Sequence, residues 1–402
     1  MERIFLAAVT AVNPGALVLN ALRITDDGLS LQCGTVAVEA RREEVRNVFL
    51  VGGGKAARGM GEAAASILGN MVTAGVIAVP EGADGEAGPI RYIEAGYPIP
   101  DDGSREAARC VMDLLSNAGH GDFVVALLSG GGSAMLSEPP RGISIGEKES
   151  VLRLLLRSGA DMGEVNTVRR HLSLVKGGRM AEVAYPALVW ALLLSDIAGD
   201  DPSVIASGPF SPDPTTYRDA LRVLTRYRIL PNVPDSVLLH LELGAAGKIP
   251  ETLKPEDPAC LGVTTAILAT NRRALEAAAD AAISDRAASV RTLPGFLRGE
   301  ARECGRAFVA EMRKIAGRTS PGRTVLLLAG GETTVTVSGK GRGGRCQEFA
   351  LSAAIAMDGT EGMGVLCGAT DGIDGVTDAA GGFAYGDTCA RARAKGRSPR
   401  AH

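Results

Sequence analysis

Aromatic side chains make up only 4% of the 402 residues, and there is a single tryptophan, Trp190. No row of rings is available as a base-stacking platform. Positive charge is not in excess either: the formal net charge is −3, whereas nucleic-acid binding calls for a basic surplus. The same balance argues against a membrane-surface role. Seven cysteines are scattered without one CxxC pair. That spacing offers neither a zinc site nor a disulfide framework, and reads as reduced core residues of a cytoplasmic protein. No apolar run approaches the roughly 20 residues that span a bilayer. The N-terminal "MERIFLAAVTAVNP" has a short apolar stretch that stops at Asn13-Pro14, with no basic leader beyond Arg3. Phe5, Ala8, Val9 and Val12 fall at helical spacing, which predicts an amphipathic first helix rather than a signal peptide.

What the chain does have is glycine and short apolar runs that alternate with helical patterns. A chain of this length exceeds one comfortable core, so two α/β domains are expected. In the first half, residues 46–51, 75–79, 123–128 and 188–194 read as buried strands, with helices over 56–68 and 104–118. Continuous apolar strands between helices predict a parallel sheet covered on both faces. Prolines then cluster between Ser207 and Asp235 and again in "KIPETLKPEDPACLG", which is where a domain boundary belongs. The alternation restarts with strands at 264–269 and 324–329 and helices at 271–283 and 298–315. "TTVTVSG", residues 333–339, alternates threonine and valine and reads as a half-exposed antiparallel strand.

The chemistry concentrates where these strands end. "VFLVGGGKAARGM" places Gly52, Gly53, Gly54 and Lys55 between a strand and a helix. It is no Walker A loop, since Ala56 stands where a magnesium-holding hydroxyl is needed. Lysine is poorly placed at a helix start for the helix dipole, but makes sense if an anion is held there by backbone N–H groups. "LLSGGGSAML" repeats the pattern with Ser129, Gly130, Gly131, Gly132 and Ser133. In an open parallel sheet the carboxyl ends of the strands line the ligand crevice, so the two turns could cradle one phosphate chain. "VNTVRRHLSLVKGGRMA" carries Arg169, Arg170, His171, Lys176 and Arg179. A run of this kind is as readily a solvated face, and His171 as readily a satisfied core residue; Lys176, ahead of two glycines, is the member of interest. In "LLLSDIAGDD", Asp196 directly follows an apolar strand and suits a Mg²⁺ or a base for a hydroxyl. In the second half Glu332 follows a strand, Arg342 and Arg345 lie in a glycine-rich loop at a helix entrance, and Asp371, Asp374 and Asp378 close another strand. An arginine so placed can fork onto a carboxylate or phosphate.

Taken together, "GGGKAA", "SGGGSA", "NTVRRHLSLVKGGRMA", "SDIAGDDPSVIASGP", "AGGETTV", "GRGGRCQE" and "TDGIDGVTDAAG" resemble the glycerate 2-kinases of the MOFRL class, in colinear order over nearly the whole chain. The resemblance implies transfer of the ATP γ-phosphate to the 2-hydroxyl of D-glycerate, with Mg²⁺, by a cytoplasmic monomer or homodimer. It implies an α/β fold with a larger Rossmann-like three-layer N-terminal domain, over residues 1–235. A smaller α/β domain would occupy residues 236–390, with the active site in the cleft between the two. The family's essential lysine and arginine fall on Lys55 and Arg345. Asp196 becomes the candidate to orient or deprotonate the glycerate hydroxyl. Lys176 and Glu332 are candidates for the substrate, and Asp196 and Asp371 for the metal. The chain departs from the family's usual residues at Tyr97, Cys346 and Val376. Its ending, "ARARAKGRSPRAH", predicts a disordered basic tail over residues 391–402. Two rival functions follow: an NAD(P)H-dependent hydroxypyruvate reductase, from the G-x-G-x-x-A match at Gly52, Gly54 and Ala57, and a nucleotide-binding protein without turnover.

Overall fold

The seven residues of Asp122–Leu128 are all buried, which only a strand covered on both faces allows. In the computed structural model, which describes residues 1–284, 289–320, 322–339 and 341–399, this segment lies in the middle of a seven-stranded sheet. The described residues form fourteen strands, β1 to β14 in chain order. A three-stranded antiparallel meander comes first: β1 (Leu22–Thr25), β2 (Gly28–Cys33) and β3 (Val36–Arg41). The large sheet contains β4 (Asn47–Gly53), β5 (Val72–Val79), β6 (Gly85–Ala87), β7 (Ile90–Glu94), β8 (Asp122–Leu128), β9 (Leu188–Leu194) and β10 (Val263–Ala269). Two small pairs follow, β11 (Ser289–Thr292) with β12 (Val325–Leu328), and β13 (Gly364–Gly368) with β14 (Gly381–Tyr385).

The large sheet has the order β10-β9-β8-β4-β5-β7-β6 and is parallel except for the edge strand β6. From β4 the chain runs outward through β5 to β7, then returns to the other side of β4 and runs outward through β8, β9 and β10. The order therefore reverses between β4 and β8, the switch point at which open sheets hold ligands. Alternation sends Phe49, Val51, Ala78 and Val124 to one face, where they form a core with Ala107, Ala108, Val111 and Leu115 of helix Asp102–Ser116 and with Met180 and Ala181 of helix Arg179–Ala184. On the other face helix Ala57–Leu68 lies so close that a Cβ on Gly61 would come within 2.5 Å of Ile77. The three-layer α/β architecture expected from the sequence is thus present. Helices Ile145–Arg157, Met162–His171, Tyr217–Arg226 and Asp235–Ala245 add a second core of their own.

The chain divides into two compact units: residues 14–269, and residues 1–13 together with 270–402. The proline-rich stretch before residue 235, expected as a boundary, lies inside the larger unit, because β10 pairs with β9 and completes the sheet. The smaller unit has its own core, in which Val309 of helix Ala301–Ala316 meets Phe349 and Ala353 of helix Arg345–Ala356, with Val365 and Ala384 beneath. "TTVTVSG" is not an antiparallel strand: Thr334 makes an isolated parallel bridge to Glu300, Thr336 bonds the Glu300 carboxylate, and among the described residues no longer ladder forms. The expected tail begins as structure too, since helix Thr388–Ala394 buries Cys389 and its Arg393 forks onto Asp358 at 2.8 and 2.9 Å.

Candidate functional site

Adjacent strands β4 and β8 each end in a glycine-rich turn, and the two turns are stitched together. Lys55 N donates to Gly130 O at 2.9 Å, Ala56 N to Ser129 Oγ at 3.1 Å, and Ser129 N to Gly53 O at 3.3 Å. Glycine is required by this closeness. Gly54 has φ +132°, and a Cβ there would stand 2.3 Å from Ser129 Oγ; a Cβ on Gly52 would stand 2.2 Å from Leu127 O. Gly53 and Gly132 also approach closely, with Gly53 O 2.9 Å from where a Gly132 Cβ would be.

The next strand, β9, brings the acid. A Cβ on Gly130 would lie 1.7 Å from Asp196 Oδ2, so the carboxylate occupies the space that the missing side chain leaves. From the other side, a Cβ on Gly131 would be 3.3 Å from both Lys55 Cγ and Tyr97 Cδ2. Lys55 Nζ sits 4.7 Å from the centre of the Tyr97 ring, within cation–π range. The structure therefore gathers Lys55, both glycine turns, Ser129 and Asp196 at one sheet edge. Tyr97, noticed in the sequence only as a departure from the family, joins them.

Ser133 leads into a polar network that sequence reading did not find. Its Oγ lies 2.9 Å from Ser207 Oγ, Ser207 Oγ donates to Asn166 Oδ1 at 3.2 Å, and Arg169 reaches Asn166 Oδ1 at 2.6 Å. Ala206 and Ser207 hold φ of +51° and +62°, strain of the kind that collects at functional positions. The run from Arg169 to Arg179 is not a solvated face. Arg170 is buried and bonds Asp213 at 3.1 Å. His171 is buried between Thr167 O at 2.7 Å and Glu251 at 3.2 Å, and burial lowers its pKa. Lys176 is wholly buried and donates to the Leu136 carbonyl. Lys148, which the sequence reading passed over, is buried as well and donates to Ser137 Oγ at 2.7 Å. The signal was there: Lys148 shares one helical stripe with Val151, Leu152 and Leu155.

In the smaller unit Arg345 opens helix Arg345–Ala356 and contacts Glu332 Oε1 at 2.5 Å. Asp374 accepts from Cys346 N at 2.9 Å and Gln347 N at 2.8 Å, so it caps this helix. Asp371 is exposed and takes Ile373 N at 3.3 Å. A cavity of about 450 Å³ in this unit is lined by Ile355, Cys389 and the Asp358–Arg393 pair and holds none of the expected site residues. Among the described residues no three His, Cys, Asp or Glu side chains are grouped as a metal centre. That is compatible with Mg²⁺, which needs one or two carboxylates when phosphate oxygens and waters supply the rest. No single helix among them is long and apolar enough to cross a membrane.

The fold places the chain among open-sheet α/β proteins, a class whose ligand crevice lies where the strand order reverses. Residues 1–242 match the family described as a domain of unknown function, DUF4147, and residues 325–402 match the MOFRL family. A glycerate 2-kinase from Pyrococcus horikoshii is 40% identical, over 97% of this chain and 86% of the relative. A D-glycerate 2-kinase from Thermotoga maritima is 40% identical, over 88% of this chain and 82% of the relative. The crystal structure of glycerate kinase from Thermotoga maritima superposes with a TM-score of 0.79 at 36% identity, covering 99% of this chain and 89% of that one. The chain belongs to the MOFRL-class glycerate kinase family.

Proposed function

We propose that this chain is a D-glycerate 2-kinase acting in the cytoplasm, which moves the γ-phosphoryl group of ATP to the 2-hydroxyl of D-glycerate and releases 2-phosphoglycerate and ADP. The observation that carries the reading is the paired glycine turns at the β4/β8 switch point, with Lys55 and Asp196 against them. Phosphoryl transfer asks for positioned cations and an in-line acceptor rather than covalent chemistry. In this reading the backbone of Gly52, Gly53 and Gly54 and of Gly130, Gly131 and Gly132 follows the phosphate chain, with Ser129 and Ser133 at its margins. Lys55 balances charge on the transferring group, and Asp196 orients the acceptor hydroxyl and takes up its proton. Arg345, held by Glu332, is the second candidate cation for the reaction. Lys176 acts on the acceptor. Mg²⁺, for which Asp196 and Asp371 are the candidate ligands, would neutralise phosphate charge and fix its geometry.

A coupled assay that separates 2-phosphoglycerate from 3-phosphoglycerate tests this. The parent should form only the former, and Lys55→Ala or Arg345→Ala should each lower kcat by about 10²-fold or more. Unchanged activity in both variants would remove the site assignment. Oxidation of NADH with hydroxypyruvate, in the absence of ATP, would instead favour the reductase.

A further inference from the structure

Two lysines stand where charge is least welcome. Lys148 and Lys176 are 1% and 0% exposed. An ammonium has three donors, yet each finds one hydrogen-bond acceptor among the described residues, Ser137 Oγ and Leu136 O respectively. Neither these lysines nor the half-buried Arg169 forms an ion pair among the described residues. The neighbouring Arg170 shows the usual arrangement, with Asp213 at 3.1 Å. A buried charge without a partner is strongly disfavoured, so whenever these lysines are protonated the cluster favours an anion that the chain does not itself provide.

We propose that Arg169, Lys148 and Lys176 form one anion site, entered beside Ser133 and Arg169, that takes the carboxylate of the 2-hydroxy acid acceptor. The inference rests on the kinase reading for the identity of that acid. Lys148 and Lys176 bond adjacent residues, Ser137 and Leu136, so one short stretch of chain brings their ammonium groups together. Burial, then the charges of Lys148 and Arg169, hold Lys176 well below the ordinary lysine range, with Glu149 alone pulling upward. Lys148 is pushed down to about 8 by burial, with Arg169 adding to the effect and Glu149 and Glu138 opposing it. Glu138 is already engaged by Arg105 and Arg109 at 3.3 and 2.9 Å, and Arg170 adds further positive charge beside Arg169. The outer wall is the chain of polar groups from Ser133 through Ser207 and Asn166 to Arg169. It adjoins the SGGGS turn, so an acid held here would present its hydroxyl to the phosphate cradle. A carboxylate offers two oxygens to a guanidinium fork and one negative charge to the lysines behind it.

The sign of the proton linkage follows. An anion favours the charged form of a neighbouring lysine, so near pH 8.5 its binding should draw in a proton. Calorimetric titration of the full-length protein with D-glycerate, in buffers of low and high ionisation enthalpy at that pH, should show net proton uptake. Glycerol, which lacks the carboxylate, should show neither binding nor uptake. In Lys148→Met and Lys176→Met the uptake should fall and D-glycerate should bind about tenfold more weakly, while ADP affinity stays within about twofold. Methionine replaces a buried charge with an apolar chain of similar length, so unfolding midpoints should not drop. Absence of proton uptake in the parent would overturn the proposal, whatever the variants do. So would a loss confined to ADP or inorganic phosphate, which would mark a phosphate site. If the parent makes 2-phosphoglycerate and both variants keep its KM, the anion site fails and the kinase reading stands. If the parent binds D-glycerate with proton uptake but forms no 2-phosphoglycerate, the site stands and the kinase reading fails.

Discussion

At the scale of single residues, the site is defined as much by missing side chains as by present ones. Gly130 has no room for a methyl group, because Asp196 Oδ2 would lie 1.7 Å from it. Gly130→Ala must push the carboxylate away from the turn or move the turn itself. A displacement of about 1 Å at a reacting group can cost about 10²-fold in rate. We therefore expect kcat in the 2-phosphoglycerate assay to fall by about that factor, with the far-ultraviolet circular dichroism unchanged. Activity near the parental level would show that Asp196 does not depend on this gap. Lys55 and Asp196 were legible in the sequence because each stands two residues past the end of an apolar strand. Lys148, Asn166 and Ser207 were not, because what marks them is burial among partners distant in sequence: Ser207 meets Ser133, 74 residues away.

At the scale of elements, helix Arg345–Ala356 depends on a cap that comes from outside its own sequence. Asp374, 1% exposed, accepts from the Cys346 and Gln347 amides, satisfying two of the N–H groups that a helix start leaves unpaired. Gly344 makes this possible, since a Cβ there would come within 2.4 Å of the Asp374 backbone and side chain. Asp374→Ala should destabilise the smaller unit by about 1–2 kcal/mol and loosen the first turn that carries Arg345. Chemical denaturation should show the loss, with kcat falling in parallel; an unchanged midpoint would show that water replaces the cap without cost. Elements with one dominant signal were read well from the sequence. "LVWALLL" is strand Leu188–Leu194, and helix Ala57–Leu68 begins one residue from its expected start. The β1–β3 meander was missed, because its strands are short and partly exposed and lack a continuous apolar run. "TTVTVSG" misled for the opposite reason: it has the period of a strand but, among the described residues, no strand to pair with beyond the bridge at Thr334.

At the scale of the whole molecule, proline density proved a poor guide to where one unit stops. Prolines mark where the chain turns, whereas a unit ends where pairing and packing end. β10 lies after the proline-rich stretch and still pairs with β9 along its length. Val237 and Leu241, also beyond residue 235, pack with Leu152, Val165 and Tyr217 in the helical core. A fragment ending at residue 235 would lose both, leaving β9 as an unpaired edge with a largely apolar strand exposed, a condition that promotes aggregation. A fragment of residues 14–269 keeps all seven strands of the large sheet. The first thirteen residues belong with the far end of the chain: helix Glu2–Ala11 packs on helix Asn271–Ser284, Arg273 Nε bonds Ala11 O at 3.0 Å, and Phe5 lies against Gly368. We expect residues 14–269 to express as a folded species with one cooperative unfolding transition, and residues 1–235 to aggregate. Removing residues 1–13 from the full chain should make residues 270–402 the first to be cut in limited proteolysis, while the large sheet stays protected. Equal cooperativity from the 1–235 fragment would mean that β10 contributes little, and that the sheet is held by its central strands alone.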